Sequence, residues 1–318
     1  MSNCCVIIPT RNRHADLVVC LGSLAIQSHP PVLVLVVDST PHPPDGAEAI
    51  YHAALSRVPL LYRRANQAGS SSQRNEGLAL IPAGIDYAFL LDDDVVLESD
   101  YCQELIALLE TNPTAVGANG WIINSQQAPG ERWLIWLLRL FMIYGRLPGT
   151  VLPSGFNTPL WVGGQRSTPF RAAFLEGGNA CLRVAALHNL AFDPSYERFG
   201  GYAYAEDLDF TYAFGQRGEL WVNPRARMLH NVSAAGRMNE LRVGICQVTN
   251  RALFRAKHLP GPLHFACYLW SMLGVMLLNL GMLALGRSPR RLLGNLVGLT
   301  LVLAGHIRPH QERTVCHP

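Results

Sequence analysis

Tyr87-Ala-Phe-Leu-Leu91 runs straight into Asp92, Asp93 and Asp94. Apolar residues stopped abruptly by three acids read as a buried strand whose exit is charged. In an open α/β sheet, that exit is where ligands bind. Neighbouring carboxylates repel one another, so a compensating positive charge is expected. A divalent cation with oxygen ligands meets that need, and such an ion commonly bridges to a phosphorylated substrate. A solvated acidic turn is the plainer alternative.

The flanking sequence alternates strand and helix. Residues 5–8 form a buried strand closed by Pro9, and a polar loop leads to a helix carrying Leu17, Leu21 and Leu24 on one face. Val32–Val37 is a second strand, Ala47–Arg57 a weak helix and Leu60–Tyr62 a third strand. A small-residue loop, Ala68–Ser72, enters a helix over Gln73–Leu80, and the Tyr87–Leu91 strand follows. Four such alternations predict a parallel sheet with right-handed crossovers. Beyond the acids, helices are expected at Ser99–Leu109, Arg183–Asn189 and Glu206–Gln216, the last closed by Gly218. Strands are expected at Ala115–Ile123 and Leu220–Met228.

Charged residues make up only 15% of the chain, against about 25% in ordinary soluble domains. The deficit lies mostly beyond residue 262, where Phe265–Leu285 carries no charge and is long enough to cross a bilayer core of about 30 Å. A buried soluble helix is the alternative. Leu292–Ala304 is apolar but short for a span, and Arg132–Arg146 suits either a core helix or an amphipathic helix on a membrane surface. Lys257 is the only lysine, so phosphate contacts must come from arginine, backbone N–H groups or metal. No basic stripe with interleaved aromatics occurs, so nucleic acid is not expected as a partner. The eight cysteines include no CxxC pair, which argues against structural zinc and for a reduced, cytoplasmic setting. The short apolar start lacks the charged flank of a signal peptide.

Six motifs occur in order. They are Val6-Ile-Ile-Pro-Thr-Arg-Asn-Arg13, Val37-Asp-Ser39, Asn66 to Gly77 with its Arg74-Asn75, Leu90-Leu-Asp-Asp-Asp-Val95, Glu176-Gly-Gly-Asn179 with Tyr204-Ala-Glu-Asp-Leu-Asp209, and Met228-Leu-His230. Together they resemble a family 2 glycosyltransferase of the GT-A fold, over about the first 230 residues. The resemblance implies an α/β, Rossmann-like architecture: a mixed, mostly parallel sheet with flanking helices, plus C-terminal membrane-associated helices. The expected divisions are a catalytic domain over 1–235, a linker or amphipathic helix over 236–262, and a hydrophobic attachment region over 263–318.

The same resemblance implies roles for individual residues. Pro9, Thr10 and Arg11 would line the nucleotide, and Asp38 would read the base unless it merely caps a helix. Arg74 and Asn75 would face the nucleotide-sugar, with Ser70–Ser72 as simple caps otherwise. Asp92 and Asp93 would contact the donor. Asp94, Asp92 and His230 would hold Mn²⁺ or Mg²⁺, although His230 has a structural alternative. Gly177, Gly178 and Asn179 would meet the acceptor. Asp207 would be the general base, with Glu206 and Asp209 as alternatives and helix-dipole pairing as the plainer role. No Gln-x-x-Arg-Trp motif occurs, which favours single-sugar transfer, and the resemblance implies inversion of the anomeric configuration. The donor would carry UDP, GDP or dTDP, and the acceptor would be a glycan or lipid-linked hydroxyl in cell-envelope or polysaccharide synthesis. The place would be the cytoplasmic face of the plasma membrane. A sugar nucleotidyltransferase and an inactive nucleotide-sugar-binding scaffold are the alternatives. The first normally needs a phosphate-binding lysine, which this chain lacks before residue 257.

Overall fold

A computed structural model describes residues 2–125, 132–164, 166–199, 204–231 and 239–307. Strand β1 (Cys4–Thr10) pairs in parallel with β2 (Leu33–Asp38) and with β4 (Tyr87–Leu91), and β2 pairs with β3 (Leu60–Arg64). Strands β1, β2 and β4 are buried on both faces, so their side chains divide with period two between two cores. Val6, Ile8, Val34, Val36 and Phe89 enter one core, and Ile7, Leu35 and Leu90 enter the other. The first core is covered by α1 (His14–Ala25), α2 (Ala47–Leu55) and α4 (Tyr101–Thr111). The second lies under α3 (Ser70–Ala79) and α6 (Glu206–Gly215), where Phe192, Phe210 and Phe214 stack. Burying each such ring contributes about 1.5–3 kcal/mol.

The sheet continues as a mixed one through β8 (Asn179–Arg183), β6 (Ala115–Ile122), β9 (Glu219–His230) and β5 (Val95–Leu97), with β7 (Phe170–Ala172) added to β9. β8 corrects one expectation. The segment read as a helix over Arg183–Asn189 is the end of this strand followed by a 3₁₀ turn, Val184–Ala186. Ala180, Cys181 and Leu182 are needed between β4 and β6, where they pair antiparallel to both. Gly218 is not the helix cap either: α6 ends at Gly215, and the space at Gly218 is taken up by Val116 and the Thr114 carbonyl.

The C-terminal part is helical: α7 (Glu240–His258), α8 (Pro262–Ala284) and α9 (Arg290–Leu303). The stretch expected as a linker or amphipathic helix contains α7, whose Val248, Ala252 and Phe254 are buried. At Gly244 and Gly294 a β-carbon would run into backbone of the facing helix, so α7 and α9 pack at close range. Lys257 and His258 clamp Asp209 at 2.8 and 2.6 Å and tie α7 to α6. The expected boundary at 235/236 and residues 308–318 lie outside the described residues. Helix α5 (Arg132–Leu140) is shorter than the apolar run that suggested it.

Candidate active site

Parallel pairing puts the carboxyl ends of β1, β2 and β4 on one edge, with Thr10 opposite Asp38 and Asp92–Asp94 at the next strand's exit. The acids do not run on as an extended strand; Asp93 and Asp94 form a turn before β5. Thr10 donates to Asp93 at 2.6 Å, and Arg13 donates to Asp93 at 3.0 Å and Asp94 at 3.2 Å. Burial raises the Asp93 carboxyl to about 6, against the pull of Thr10 and Arg13. Asp94 also meets His230 Nε2 at 3.0 Å, where β9 ends beside β5. Burial pushes the imidazole pKa down, but the hydrogen bond to Asp94 and the charges of Asp92, Asp94 and Glu176 outweigh it, and the net shift is upward.

Asp92 turns to the other side. It accepts from Arg74 Nη2 at 2.8 Å, while Arg74 Nη1 reaches Glu206 at 3.0 Å and Ser70 Oγ at 2.7 Å. Burial alone would lower the Arg74 pKa, yet the charges of Asp92, Glu206 and Asp207 keep it above the ordinary arginine value. One buried guanidinium thus fastens the acids after β4 to those opening α6, over a hundred positions apart in sequence. Losing Arg74 would leave Asp92 and Glu206 without their shared counter-charge, at a cost of about 3–5 kcal/mol.

Gly177 and Gly178 lie between the two acidic groups. A β-carbon at Gly178 would overlap the Asp92 carboxylate, and one at Gly177 would sit 2.8 Å from Asp207 Cβ. Asp207 accepts from Gly177 N–H at 3.3 Å and from Leu208 N–H at 2.7 Å. Ala205 before it has φ 68°, which turns the chain sharply into α6.

Several expected contacts are committed elsewhere. The Asn75 amide bonds the Phe192 backbone in both directions, at 2.9 and 2.7 Å, and so holds a loop against α3. Asn179 is buried, with its amide spent on Gly120 N–H and C=O and on the Tyr101 hydroxyl. Asp209, the alternative base, sits in the Lys257–His258 clamp. Asp38 accepts from Thr40 N–H at 2.7 Å, Tyr62 Oη at 2.6 Å and Arg64 at 2.9 Å. Pro9 is partly buried opposite Val37, and Arg11 is exposed just past β1.

Three residues were not singled out from sequence. Arg13 closes the motif that begins at Val6, and Glu176 precedes Gly177. Glu197 accepts from Ser71 N–H at the start of α3, where a β-carbon on Gly69 would overlap its carboxylate. Burial, reinforced by Asp207, raises Glu176 and Glu206 alike to about 7. The folded values lie above the unfolded ones, so their contribution is complete below about pH 4.5 and is lost as pH rises through 7. Metal-free protein is therefore expected to lose on the order of 2 kcal/mol, and several degrees in Tm, between about pH 5 and pH 8. Melts recorded across that interval check this, and a constant or rising Tm would contradict it.

Asp92, Asp94 and His230 place their ligand atoms within 4.8 Å of one another. Two carboxylates and an imidazole suit Mn²⁺ or Mg²⁺, and Arg13 shows that the cluster attracts a cation.

The model of the family described as glycosyl transferase family 2 matches residues 5–190. No curated protein matches the chain in sequence. Among solved structures, the mannosyltransferase PcManGT from Pyrobaculum calidifontis, in complex with GDP-Man and Mn²⁺, superposes with a TM-score of 0.55 at 17% identity. That match covers 95% of this chain and 80% of that one. GalNAc-T7 with UDP, GalNAc and Mn²⁺ gives 0.57 at 15% identity, over 86% of this chain and 55% of that one. TarS of S. aureus gives 0.52 at 16% identity, over 87% and 43%. At these identities the likeness establishes the fold.

Proposed function

The chain belongs to glycosyl transferase family 2, and we propose that it moves one sugar from a nucleotide-diphosphate donor to a hydroxyl of a glycan or lipid-linked acceptor, inverting the anomeric centre. It is a glycosyltransferase with a GT-A fold, a mixed, mostly parallel sheet between helices. The family sets aside the nucleotidyltransferase alternative. The observation that carries the proposal is the Arg74 bridge, which draws the metal-ligand cluster and Asp207 into one cleft.

In this reading the nucleotide lies at the carboxyl ends of β1 and β2, and the diphosphate faces Asp92 and Asp94. PcManGT and GalNAc-T7, which share the fold, hold GDP-Man or UDP together with Mn²⁺. Asp92, Asp94 and His230 would hold the ion here, and when bound it supplies positive charge beside the leaving diphosphate. Asp207 takes the proton of the acceptor hydroxyl as its oxygen attacks the anomeric carbon, and the bond from that carbon to the diphosphate breaks. Gly177 and Gly178 let Asp207 and Asp92 approach the backbone closely, since a β-carbon at either would collide with them. Arg74 keeps Asp92 and Glu206 in place rather than reacting itself.

Membrane attachment is part of the proposal. Among the described residues, α8 is the one helix long and apolar enough to cross a membrane, with 28% of its most apolar window buried. A soluble core helix of that length would be mostly buried. Leu263, Trp270, Leu277 and Leu280 are exposed on α8, as are Trp133 and Trp136 on α5, a distribution that suits an interface with lipid. The proposal sets the catalytic domain on the cytoplasmic side of that membrane, acting in envelope or polysaccharide synthesis.

A melting screen of UDP-, GDP- and dTDP-sugars with and without Mn²⁺ tests the donor reading. One nucleotide is expected to raise Tm by several degrees, and only with the metal. No shift with any of them would sink it.

A further inference from the structure

A cavity of about 370 Å³ opens beside the start of α6, among α5, α7, α8 and α9. Arg251, Arg291 and Asn279 form a polar wall, and Leu138, Val275 and Leu278 an apolar one. Arg251 is the informative member. It is 8% exposed, donates once to the Gly155 carbonyl at 3.1 Å, and has a buried Nε with no hydrogen-bond partner. Its guanidinium rests on the rings of Phe156 and Tyr204, at 5.2 and 5.6 Å. Among the described residues no carboxylate pairs with it or with Arg291. A buried cation without a counter-charge is a costly arrangement, and aromatic faces offset only part of that cost. Two arginines facing a cavity without acids ask for an anion.

The apolar wall narrows the choice of anion. Val275 and Leu278 belong to α8, whose outer side exposes Leu273, Leu277 and Leu280. A ligand whose head meets Arg251 can therefore continue as a hydrocarbon chain along α8. The cavity also adjoins the proposed chemistry. Tyr204 lines it, the Tyr204 carbonyl is held by Asn250 at 2.9 Å, and Glu206 and Asp207 follow at once in α6. We infer that this cavity binds the phosphate of a lipid-linked acceptor, with Arg251 and Arg291 on the phosphate and the chain leaving along α8. The inference rests on the sugar-transfer reading above and assigns its acceptor class.

The test uses the full chain in phosphatidylcholine nanodiscs and follows tryptophan fluorescence. The probes are a polyisoprenyl phosphate, the matching polyisoprenol, and inorganic phosphate as competitor. The phosphate lipid is expected to bind roughly ten-fold tighter than the alcohol, because charge-assisted hydrogen bonds to arginine are at stake. Arg251→Gln should remove that preference. Arg291→Gln, at a less buried position, should reduce it and serves if the first variant fails to fold. Equal binding of phosphate and alcohol would overturn the inference. So would an intact preference in a folded Arg291→Gln protein, or complete displacement by inorganic phosphate at equal concentration. No donor or turnover enters the measurement. A negative result alongside an intact donor-induced Tm shift would remove the lipid site and leave sugar transfer standing.

Discussion

Asp94→Asn is expected to lower kcat/KM for sugar transfer by about three orders of magnitude while the protein stays folded. Asp94 is the most buried of the three potential metal ligands, and Arg13 and His230 both lean on it. The amide keeps the shape of the side chain but removes its charge, so the remaining ligands are one carboxylate and one imidazole. Several kcal/mol of electrostatic support for the departing diphosphate would go with it. Stability should change little, since the substitution weakens a contact to Arg13 but also relieves repulsion among three adjacent acids. The matching observation is a donor-induced Tm shift that no longer depends on Mn²⁺. Transfer within ten-fold of the unaltered protein would mean that the acids after β4 serve the fold and not the reaction.

The parts of the fold legible in sequence are those fixed by local periodicity. β4 has the bounds read for it, Tyr87–Leu91, because an unbroken apolar run between a proline-glycine turn and three acids leaves one way to sit in a sheet. β8 carries no clear signal in the sequence because Asn179–Arg183 is short and ambiguous by itself, and only pairing with β4 and β6 makes it a strand. The site shows a similar division. Motifs located the cleft, but the direction of each side chain depended on the element beneath it. Arg74 points into the cleft, so on a helix Asn75 must point elsewhere, and it finds Phe192. Asp209 lies two positions after Asp207, on nearly the opposite side of α6, where Lys257 and His258 await it. Those two outcomes follow from helix geometry. Arg13 does not, because its reach to Asp93 and Asp94 depends on how the loop after β1 folds back, and no periodicity records that.

Asp207→Asn is expected to reduce kcat by about 10²–10⁴-fold and to leave donor binding unchanged within a few-fold. The competing acids of α6 are already engaged: Glu206 is buried against Arg74, and Asp209 is clamped between α6 and α7. Asp207 is partly exposed and is oriented by the N–H groups of Gly177 and Leu208, its Cβ only 2.8 Å from where a β-carbon on Gly177 would sit. An amide can still accept from one of those N–H groups, so the structural cost should be about 1 kcal/mol. The signature that separates a base from a scaffold residue is kinetic. The variant should keep the Mn²⁺-dependent Tm shift with donor and lose kcat while KM for the donor stays within a few-fold. Glu176 is the nearest rival, being raised to about 7 in the same cleft by burial and by Asp207 itself. Parallel assays of Asp207→Asn and Glu176→Gln decide between them. Retention of kcat within three-fold in the first, with collapse in the second, would transfer the proton-accepting role to Glu176.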